Sequence, residues 1–239
     1  MSATIEVRSL VMRFGHRTVL RGLEFAASPG EFVAVVGPNG AGKTTFLRIL
    51  ATLLRPTEGM VRLAGFDLPS RSGEVRRRIG YVSHQPMLYG DLSAAQNLRF
   101  YCSLYGLSSP EARVDEVMEL VGLAKRSRDQ VRTCSHGMQQ RLAIARAVLH
   151  EPQILLLDEP HTGLDQDACA MLDDVLRRVS AAGKTVVMAT HDLFRAAEIA
   201  SRVDVLSRGV IVASTPAARL SSAGLLPFYR DAVTSREIY

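Results

Sequence analysis

The stretch that most restricts how this 239-residue chain can fold is "EFVAVVGPNGAGKTTFLRIL", which runs from Glu31 to Leu50. Its first part is a continuous apolar segment rich in β-branched residues, as expected of a strand buried on both faces of a parallel sheet. A glycine-rich loop follows directly and enters a segment of helical spacing, for which Pro56 and Gly59 mark the end. The chain therefore has strand, loop and helix in the order that a phosphate-binding loop requires.

The loop itself, "GPNGAGKT", fits the pattern G-x-x-x-x-G-K-[ST]. Glycines allow backbone N–H groups to close around phosphates, Lys43 reaches the β- and γ-phosphates as a point charge, and the Thr44 hydroxyl ligates Mg²⁺. A tight turn without a ligand is the alternative, but it explains neither the lysine nor the threonine. The predicted nucleotide-binding residues are Gly37, Pro38, Asn39, Gly40, Ala41, Gly42, Lys43, Thr44 and Thr45.

The rest of the sequence predicts the layers around this unit. Apolar and polar residues alternate along "TIEVRSLVMRFGHRTVLRGLEF", with a break at Gly15, which predicts an N-terminal antiparallel sheet. Three later segments space their apolar residues three and four apart, which predicts an inserted helical subdomain over about residues 86–151. From Gln153 strands and helices alternate again, which is typical of a parallel sheet in an α/β fold.

These elements predict one domain with a short extension. The α/β domain, including its helical insertion, is expected to occupy residues 1–214. Residues 215–239 contain Pro216 and Pro227 and are expected to form a short C-terminal tail.

Two carboxylates follow the strand-like segment in "ILLLDEP", where a buried strand reaches the edge of its sheet. Asp158 is predicted to hold the metal ion, and Glu159 to face the γ-phosphate and polarise an attacking water molecule. His191 in "MATHDL" also follows an apolar strand, at the sheet edge where ligands bind, and is predicted to contact the γ-phosphate. Helix capping for the carboxylates and a helix-start role for the histidine are the alternatives, and the phosphate loop in the same chain argues against both.

A second segment, "RTCSHGMQQRLAIARA" from Arg132, also has the features of an anion site. Small and polar residues around Ser135 and Gly137 precede apolar residues at helical spacing, which predicts a helix start. Helix N-termini attract phosphate because their N–H groups are unpaired and the helix dipole is positive there. Since the phosphate loop lies far upstream, these residues alone leave open which phosphate the second site serves.

Composition and charge limit the partners. The chain is 47% hydrophobic and 22% charged, and its net charge of +5 comes from scattered arginines without a basic block, so we expect no nucleic acid partner. Its apolar runs are far shorter than the roughly 18 residues that a membrane-spanning helix needs. The sequence opens without a signal-like segment, and its three cysteines lack metal-type spacing. We therefore expect a cytosolic protein with reduced thiols.

In combination these motifs resemble one family closely, the nucleotide-binding subunits of ATP-binding cassette (ABC) transporters. The resemblance rests on the phosphate loop, the Asp158–Glu159 pair, "TGLD", His191 and the segment before "QQRLAIARA", and it covers nearly the whole chain. It implies a P-loop NTPase (RecA-like) core and an ATPase that uses ATP and Mg²⁺. The catalytic residues that it implies are Glu159, His191 and Lys43.

In this family two subunits meet head to tail, and the signature helix of one binds the γ-phosphate of the ATP held by the other. The resemblance therefore implies that the second anion site serves the nucleotide of another ATP-binding subunit, in a homodimer. It also implies transmembrane permease subunits, with this chain peripheral on the cytoplasmic face of the inner membrane. The implied contacts to the partner's ATP are Ser135, His136, Gly137 and Met138, and the implied D-loop is Gly163, Leu164 and Asp165.

Two segments depart from the family pattern. Where the signature is usually L-S-G-G-Q, the chain has "CSHGM", which keeps Ser135 and Gly137, the residues that supply the phosphate contacts. Where many relatives have glutamine the chain has His84, followed by Gln85; we assign the metal- and water-sensing role to Gln85, with His84 as the alternative. Phe14 matches the aromatic residue that stacks on adenine, although a phenylalanine in an amphipathic strand also suits a core.

Further short motifs resemble those of particular transporters and bear on the compound that is exported. "HQP", "NLRFY" and the histidine before "TGLD" are similar to the ATPase of the haem exporter used in cytochrome c maturation, which implies export of haem through separate membrane subunits. The ATPase of another small exporter, for a drug, lipid or polysaccharide, is the alternative. A soluble ABC protein that acts on ribosomes or DNA is a further one, but such proteins fuse two cassettes or insert long coiled coils, and this chain has neither feature.

Overall fold

The computed structural model describes residues 3–220 and 222–234. Its strands are β1 (Ile5–Phe14), β2 (Arg17–Ala27), β3 (Phe32–Val36), β4 (Glu58–Leu63), β5 (Phe66–Leu68), β6 (Ile79–Val82), β7 (Ile154–Asp158), β8 (Thr185–Thr190), β9 (Arg202–Ser207) and β10 (Val210–Pro216). Its helices are α1 (Lys43–Leu50), α2 (Ser72–Arg76), α3 (Ala94–Tyr105), α4 (Pro110–Leu120), α5 (His136–Val148), α6 (Gln166–Ala181), α7 (Leu193–Ile199) and α8 (Ser222–Thr234).

A six-stranded sheet in the order β10-β9-β3-β8-β7-β6 forms the centre of the fold. Its strands are parallel except for β10, which pairs with β9 in the antiparallel sense at one edge. Every residue of β3, β7 and β8 is buried, as their continuous apolar sequences predict. The predicted α/β core is confirmed. Because β3, β8 and β7 are adjacent and parallel, the segments that follow them meet at one edge of the sheet.

The N-terminal strands form a second sheet, with the order β2-β1-β4-β5 and antiparallel pairing throughout. It confirms the predicted antiparallel subdomain, and it adds β4 and β5, which follow α1 and to which the sequence analysis assigns no strands. An apolar cluster fills the space between this sheet, α1 and the core sheet, and in it the rings of Phe25 and Phe46 meet edge to face at 5.1 Å. This packing fixes α1, and the loop before it, against the sheet.

Helices α3, α4 and α5 pack against one another, and in the chain they lie between β6 and β7. Ser93 begins α3 through a reciprocal capping box with Gln96, which fixes where the helix starts. The limits 86–151 of a helical subdomain and the tail at 215–239 stay predictions. Strand β10 runs to Pro216, and α8 contacts α7, β9 and β10, so the described part of this segment lies against the core.

Two further expectations concern the membrane and the cysteines. Within residues 3–220 and 222–234, every helix is too short or too polar to cross a bilayer. Cys102 and Cys169 are buried, Cys134 is half-buried, and all three are free thiols. The fold is therefore held by its apolar clusters rather than by disulfide bonds.

Candidate functional site

The glycine-rich loop leads from the end of β3 to the start of α1 and packs closely against its surroundings. A Cβ atom at Gly37 would lie 2.0 Å from the carbonyl oxygen of Leu206, so only glycine fits there. Gly42 has a φ of 112°, and a Cβ atom there would come within 2.8 Å of the Leu20 side chain. Helix α1 begins at Lys43 without a side-chain cap, so no side chain satisfies the first N–H groups of the helix, and these groups can bind an anion.

Lys43 folds back across this loop. Its Nζ donates to the carbonyl oxygen of Gly37 at 2.7 Å and to that of Pro38 at 3.3 Å. Burial lowers the pKa of Lys43 below the ordinary lysine value, while the charges of Glu159 and Asp158 act in the opposite direction. An ammonium group held by two carbonyl oxygens can exchange them for phosphate oxygens, because both are hydrogen-bond acceptors and the phosphate bond is charge-assisted.

Two oxygen ligands suited to a metal ion lie beside the loop. The Thr44 hydroxyl donates to Asp158 Oδ1 at 3.0 Å, and Asp158 is only 3% exposed. Burial raises the pKa of Asp158, and the hydrogen bond from Thr44 acts against this rise. The described residues contain no cluster of three or more His, Cys, Asp or Glu side chains that could hold a metal. This donor set fits Mg²⁺, which binds through one or two protein oxygens together with water and substrate phosphates.

Glu159 and His191 are in contact at the ends of the neighbouring strands β7 and β8. His191 Nδ1 lies 2.8 Å from Glu159 Oε2, and the backbone N–H of His191 donates to the same oxygen at 3.3 Å. The other carboxylate oxygen of Glu159 lies 3.9 Å from Lys43 Nζ. Glu159 has a φ of 51°, so the backbone turns sharply where the strand ends. A carboxylate held by a histidine next to a phosphate loop has the geometry of a general base with its orienting partner.

These groups share a cavity of about 370 Å³. It is lined by Arg17, Val19, Asn39, Gly40, Ala41, Gly42, Lys43, Thr44, Thr45 and Glu159. Phe14 is 48% exposed at the end of β1, so it does not pack in the core, and its role toward adenine stays a prediction. Arg17 stands directly opposite Phe14 in the β1–β2 pairing. Arg17 is not among the residues predicted from the sequence, although a hairpin with a two-residue turn at Gly15 and His16 would have placed it opposite Phe14.

His84 and Gln85 line a second cavity, of about 300 Å³, together with Thr44 and Asp158. Both side chains are exposed. The charge of His84 is among the groups that lower the pKa of Asp158, whereas the backbone carbonyl of Gln85 accepts a hydrogen bond from the Ser83 hydroxyl. Both residues therefore stand beside the candidate metal ligands. The assignment of the metal- and water-sensing role to Gln85, with His84 as the alternative, stays a prediction.

The signature segment lies at the start of α5. The Ser135 hydroxyl caps this helix by accepting a hydrogen bond from the N–H of Met138 at 3.3 Å. His136 Nε2 lies 3.2 Å from the carbonyl oxygen of Thr162, and the same ring packs against Gly163, so the signature and the D-loop of one chain are in contact. The side chains of Met138 and Leu164 pack against the apolar core. These two predicted residues therefore pack against the core of their own chain.

The signature and the D-loop together form a third cavity, of about 430 Å³. It is lined by Ser135, His136, Gly137, Arg141, Gly163, Asp165, Asp167, Ala168 and Met171. Asp165 also has a structural role, because its Oδ1 caps α6 by accepting from the N–H of Ala168 at 2.8 Å. The cavity shares no lining residue with the phosphate-loop cavity. One chain thus has two separate candidate phosphate sites.

The chain has a phosphate loop between a parallel strand and a helix, and Asp158 and Glu159 lie at the end of a nearby strand. These features define it as a P-loop nucleoside triphosphatase. Comparison with known proteins makes the class more specific, because the sequence model of the family described as ABC transporter matches residues 20–162. The chain belongs to this family, as an ATP-binding subunit, and it is an ATPase.

Individual relatives agree with this assignment. Nod factor export ATP-binding protein I from Cupriavidus metallidurans is 36% identical over 211 residues, which are 87% of this chain and 70% of that protein. Daunorubicin resistance ATP-binding protein DrrA3 from Streptomyces coeruleorubidus is 38% identical over 220 residues, which are 91% of this chain and 70% of that protein.

Solved structures are similar over the whole fold. One structure of an ATP-binding subunit of an ABC transporter has a TM-score of 0.87 at 29% identity and covers 96% of this chain and 99% of its own. A dimeric ATP-binding cassette in a post-hydrolysis state, bound to ADP and Pi, has a TM-score of 0.82 at 28% identity and covers 89% and 98%. The resemblance to ABC ATP-binding subunits is therefore confirmed.

Proposed function

We propose that this chain is the ATP-hydrolysing subunit of a multisubunit ABC exporter and that it works as a head-to-tail homodimer. The observation that carries this proposal is the division of the nucleotide site. Lys43, Thr44 and Glu159 line one cavity, whereas Ser135 and Gly137 line another that shares no residue with it. Two chains that face each other head to tail can complete both sites at once.

In this dimer each ATP lies between the phosphate loop of one subunit and the signature of the other. Lys43 contacts the β- and γ-phosphates, and Asp158 and Thr44 hold Mg²⁺, which supplies charge stabilisation when bound. Glu159, oriented by His191, accepts the proton of the attacking water. ATP favours the closed pair because it binds the closed state better than the open one, and hydrolysis reopens the pair.

The transmembrane permease subunits are proposed to dock on a groove of about 390 Å³ beside α3. Leu104 is 65% exposed there, Leu53 is 49% exposed and Met87 is 40% exposed, and exposed apolar side chains that share one groove are typical of a protein interaction site. Met87 and Tyr81 line both this groove and the cavity of His84 and Gln85. A bound permease segment would therefore lie next to the candidate metal ligands, and the chain would be held peripherally at the cytoplasmic face of the membrane.

For the exported compound we propose a chemical class rather than a single molecule. The relatives described above are named for Nod factor export and daunorubicin resistance, which favours an exporter of a drug, lipid or polysaccharide. Haem export for cytochrome c biogenesis is the second candidate, supported by His161 before "TGLD" and by "HQP". Purification with the native membrane subunits, followed by stimulation of ATP hydrolysis with haem or with daunorubicin, separates the two.

The test of the dimer uses Ser135→Arg. A bulky charge at this position should spare ATP binding by the isolated chain and abolish the closed dimer, because only the contact to the partner's nucleotide is lost. Mixing Ser135→Arg with Lys43→Ala should then trap one nucleotide per mixed dimer, since one of its two composite sites is intact. If Ser135→Arg weakens ATP binding by the monomer as much as Lys43→Ala does, the signature belongs to its own chain's site and the proposal is wrong.

A further inference from the structure

A buried polar network of His161, Asp173 and Arg195 lies outside the nucleotide cavity. His161 Nε2 lies 2.7 Å from Asp173 Oδ1, and Arg195 Nη1 donates to Asp173 Oδ2. The side chains of His161, Asp173 and Arg195 are 8%, 5% and 23% exposed. Both carboxylate oxygens have a donor, which is the condition under which a buried carboxylate is tolerated.

The position of the His161 ring depends on this carboxylate. Since a carboxylate oxygen only accepts, His161 Nε2 is the donor. The other ring nitrogen, Nδ1, is buried and has no hydrogen-bond partner among the described residues. Asp173 therefore makes the hydrogen bond that holds the ring, and loss of either partner removes this anchor of the loop that carries His161.

That loop, residues 160–162, is held from the opposite side by α5. Gln140 Nε2 donates to the carbonyl oxygen of its first residue at 3.0 Å, and His136 Nε2 lies 3.2 Å from the carbonyl oxygen of its last. The loop begins directly after Glu159, the candidate general base. A displacement of the signature helix is therefore passed to the segment next to this carboxylate.

The other end of the network reaches the segment that follows His191. The N–H of Arg195 donates to Asp192 Oδ1 at 3.0 Å, and its Nε lies 3.7 Å from Asp192 Oδ2. Asp192 is the next residue after His191, whose ring contacts Glu159. Asp173 thus joins two elements that lead separately to the two members of the catalytic pair.

We propose that His161, Asp173 and Arg195 form a positioning network that transmits closure of the dimer to the Glu159–His191 pair of the same subunit. The proposal rests on the proposed function, because it requires ATP hydrolysis in a closed pair. None of the three network residues lines the nucleotide cavity, so they act through the catalytic pair and not on ATP itself. A base displaced by about 1 Å can lose about 100-fold in rate, so a modest loosening is measurable.

The test compares two replacements of His161 in the full chain. His161→Phe keeps the size of an aromatic ring and removes the donor, whereas the amide of His161→Gln can still donate to Asp173. We expect kcat to fall about 10- to 100-fold in His161→Phe and to recover in His161→Gln. The KM for ATP and the affinity for a non-hydrolysable ATP analogue should stay at wild-type values in both. Asp174→Asn, on the same helix but 65% exposed and paired with Arg177, is the matched control and should leave kcat unchanged.

A double variant separates transmission from closure. Glu159→Gln/His161→Phe should still form ATP-dependent dimers, because the network acts after the subunits have met. Loss of these dimers would assign the network to closure itself and overturn the proposal. Wild-type kcat in His161→Phe would overturn it as well, and so would a fall in kcat that His161→Gln does not restore.

Folding and the proposed function are controlled separately. Thermal unfolding is measured for each variant, and if His161→Phe does not fold, the same kcat and KM comparison is made with Arg195→Met at the far end of the network. For Arg195→Met, an unchanged kcat refutes the proposal and a lowered kcat at constant KM supports it. A wild-type chain that does not hydrolyse ATP would instead refute the proposed function, and this result is available before any variant is made.

Discussion

His150, which follows α5, gives the most quantitative prediction. Its Nε2 donates to the carbonyl oxygen of Ile79 at 2.9 Å, and its ring stacks on Tyr105 with 3.8 Å between centroids. Its Nδ1 is buried and has no partner among the described residues. Burial lowers the pKa of His150 from 6.5 to about 4, against the effect of the hydrogen bond to Ile79. The folded chain therefore holds this ring uncharged well into the acid range.

The sign of the pH dependence follows from this lowered pKa. Between pH 6.5 and about 4 the unfolded chain binds a proton at His150 that the folded chain does not, so acid favours unfolding. The stability that depends on the uncharged ring is fully present above the unfolded pKa and is lost as the pH falls toward the folded pKa. Between about pH 7.5 and about pH 4.5 the loss amounts to about 2.5 kcal/mol in the free energy of unfolding.

The variant His150→Gln tests this value, because its amide can donate to the Ile79 carbonyl and does not titrate. Urea denaturation at the two pH values gives the free energy of unfolding of each protein. The wild type should lose about 2.5 kcal/mol more than His150→Gln between them. His16→Gln, in the exposed turn between β1 and β2, should lose as much as the wild type. An equal loss in His150→Gln and the wild type would refute the reasoning.

Three further predictions address the nucleotide and permease sites. Glu159→Gln should keep ATP binding, lower kcat by about 10²- to 10⁴-fold and accumulate ATP-bound dimers in gel filtration; wild-type turnover would remove Glu159 from the mechanism. Lys43→Ala should lower both ATP affinity and turnover, and unchanged Mg-ATP binding in a calorimeter would contradict the phosphate-loop interpretation. Leu104→Glu should abolish copurification with the permease subunits, whereas Leu226→Glu, exposed on α8 outside the groove, should not; copurification retained in Leu104→Glu would place docking elsewhere.

The arrangement of the candidate nucleotide half-site could be predicted because its signals are local. The phosphate loop is one continuous stretch, and Asp158, Glu159 and His191 each follow a short apolar run whose length favours a buried strand. The carboxyl ends of adjacent parallel strands meet at one sheet edge, so position along the chain already predicts proximity. The structure places Thr44 against Asp158 and His191 against Glu159.

The contacts of the buried polar network and of strands β4 and β5 could not be predicted, because no periodic pattern of apolar residues in the sequence indicates them. His161 lies on a loop, Asp173 on α6 and Arg195 on α7. Asp173 is 12 residues from His161 and 22 residues from Arg195. Taken alone, each of them has the sequence pattern of a surface or capping residue. Strands β4 and β5 were missed for a related reason: β4 pairs with the distant strand β1 and β5 pairs with β4, and Gly59, which marks the end of the preceding helix in the sequence, lies inside β4. Pairing between distant segments, rather than local propensity, decides such elements.

The two side chains of the helix start that differ from the usual signature contact residues of their own subunit. His136, which replaces a glycine, contacts the carbonyl oxygen of Thr162, and Met138, which replaces a glutamine, packs against the core. A Cβ atom at Gly163 would lie 3.0 Å from His136 Cδ2, so the imidazole ring packs closely against this glycine. The retained Ser135 still lines the cavity that would face the partner's phosphate. His136 therefore ties the signature to the loop whose other side is held by the buried network, so in the proposed dimer a movement that begins at the partner's nucleotide would have a short, hydrogen-bonded route to Glu159.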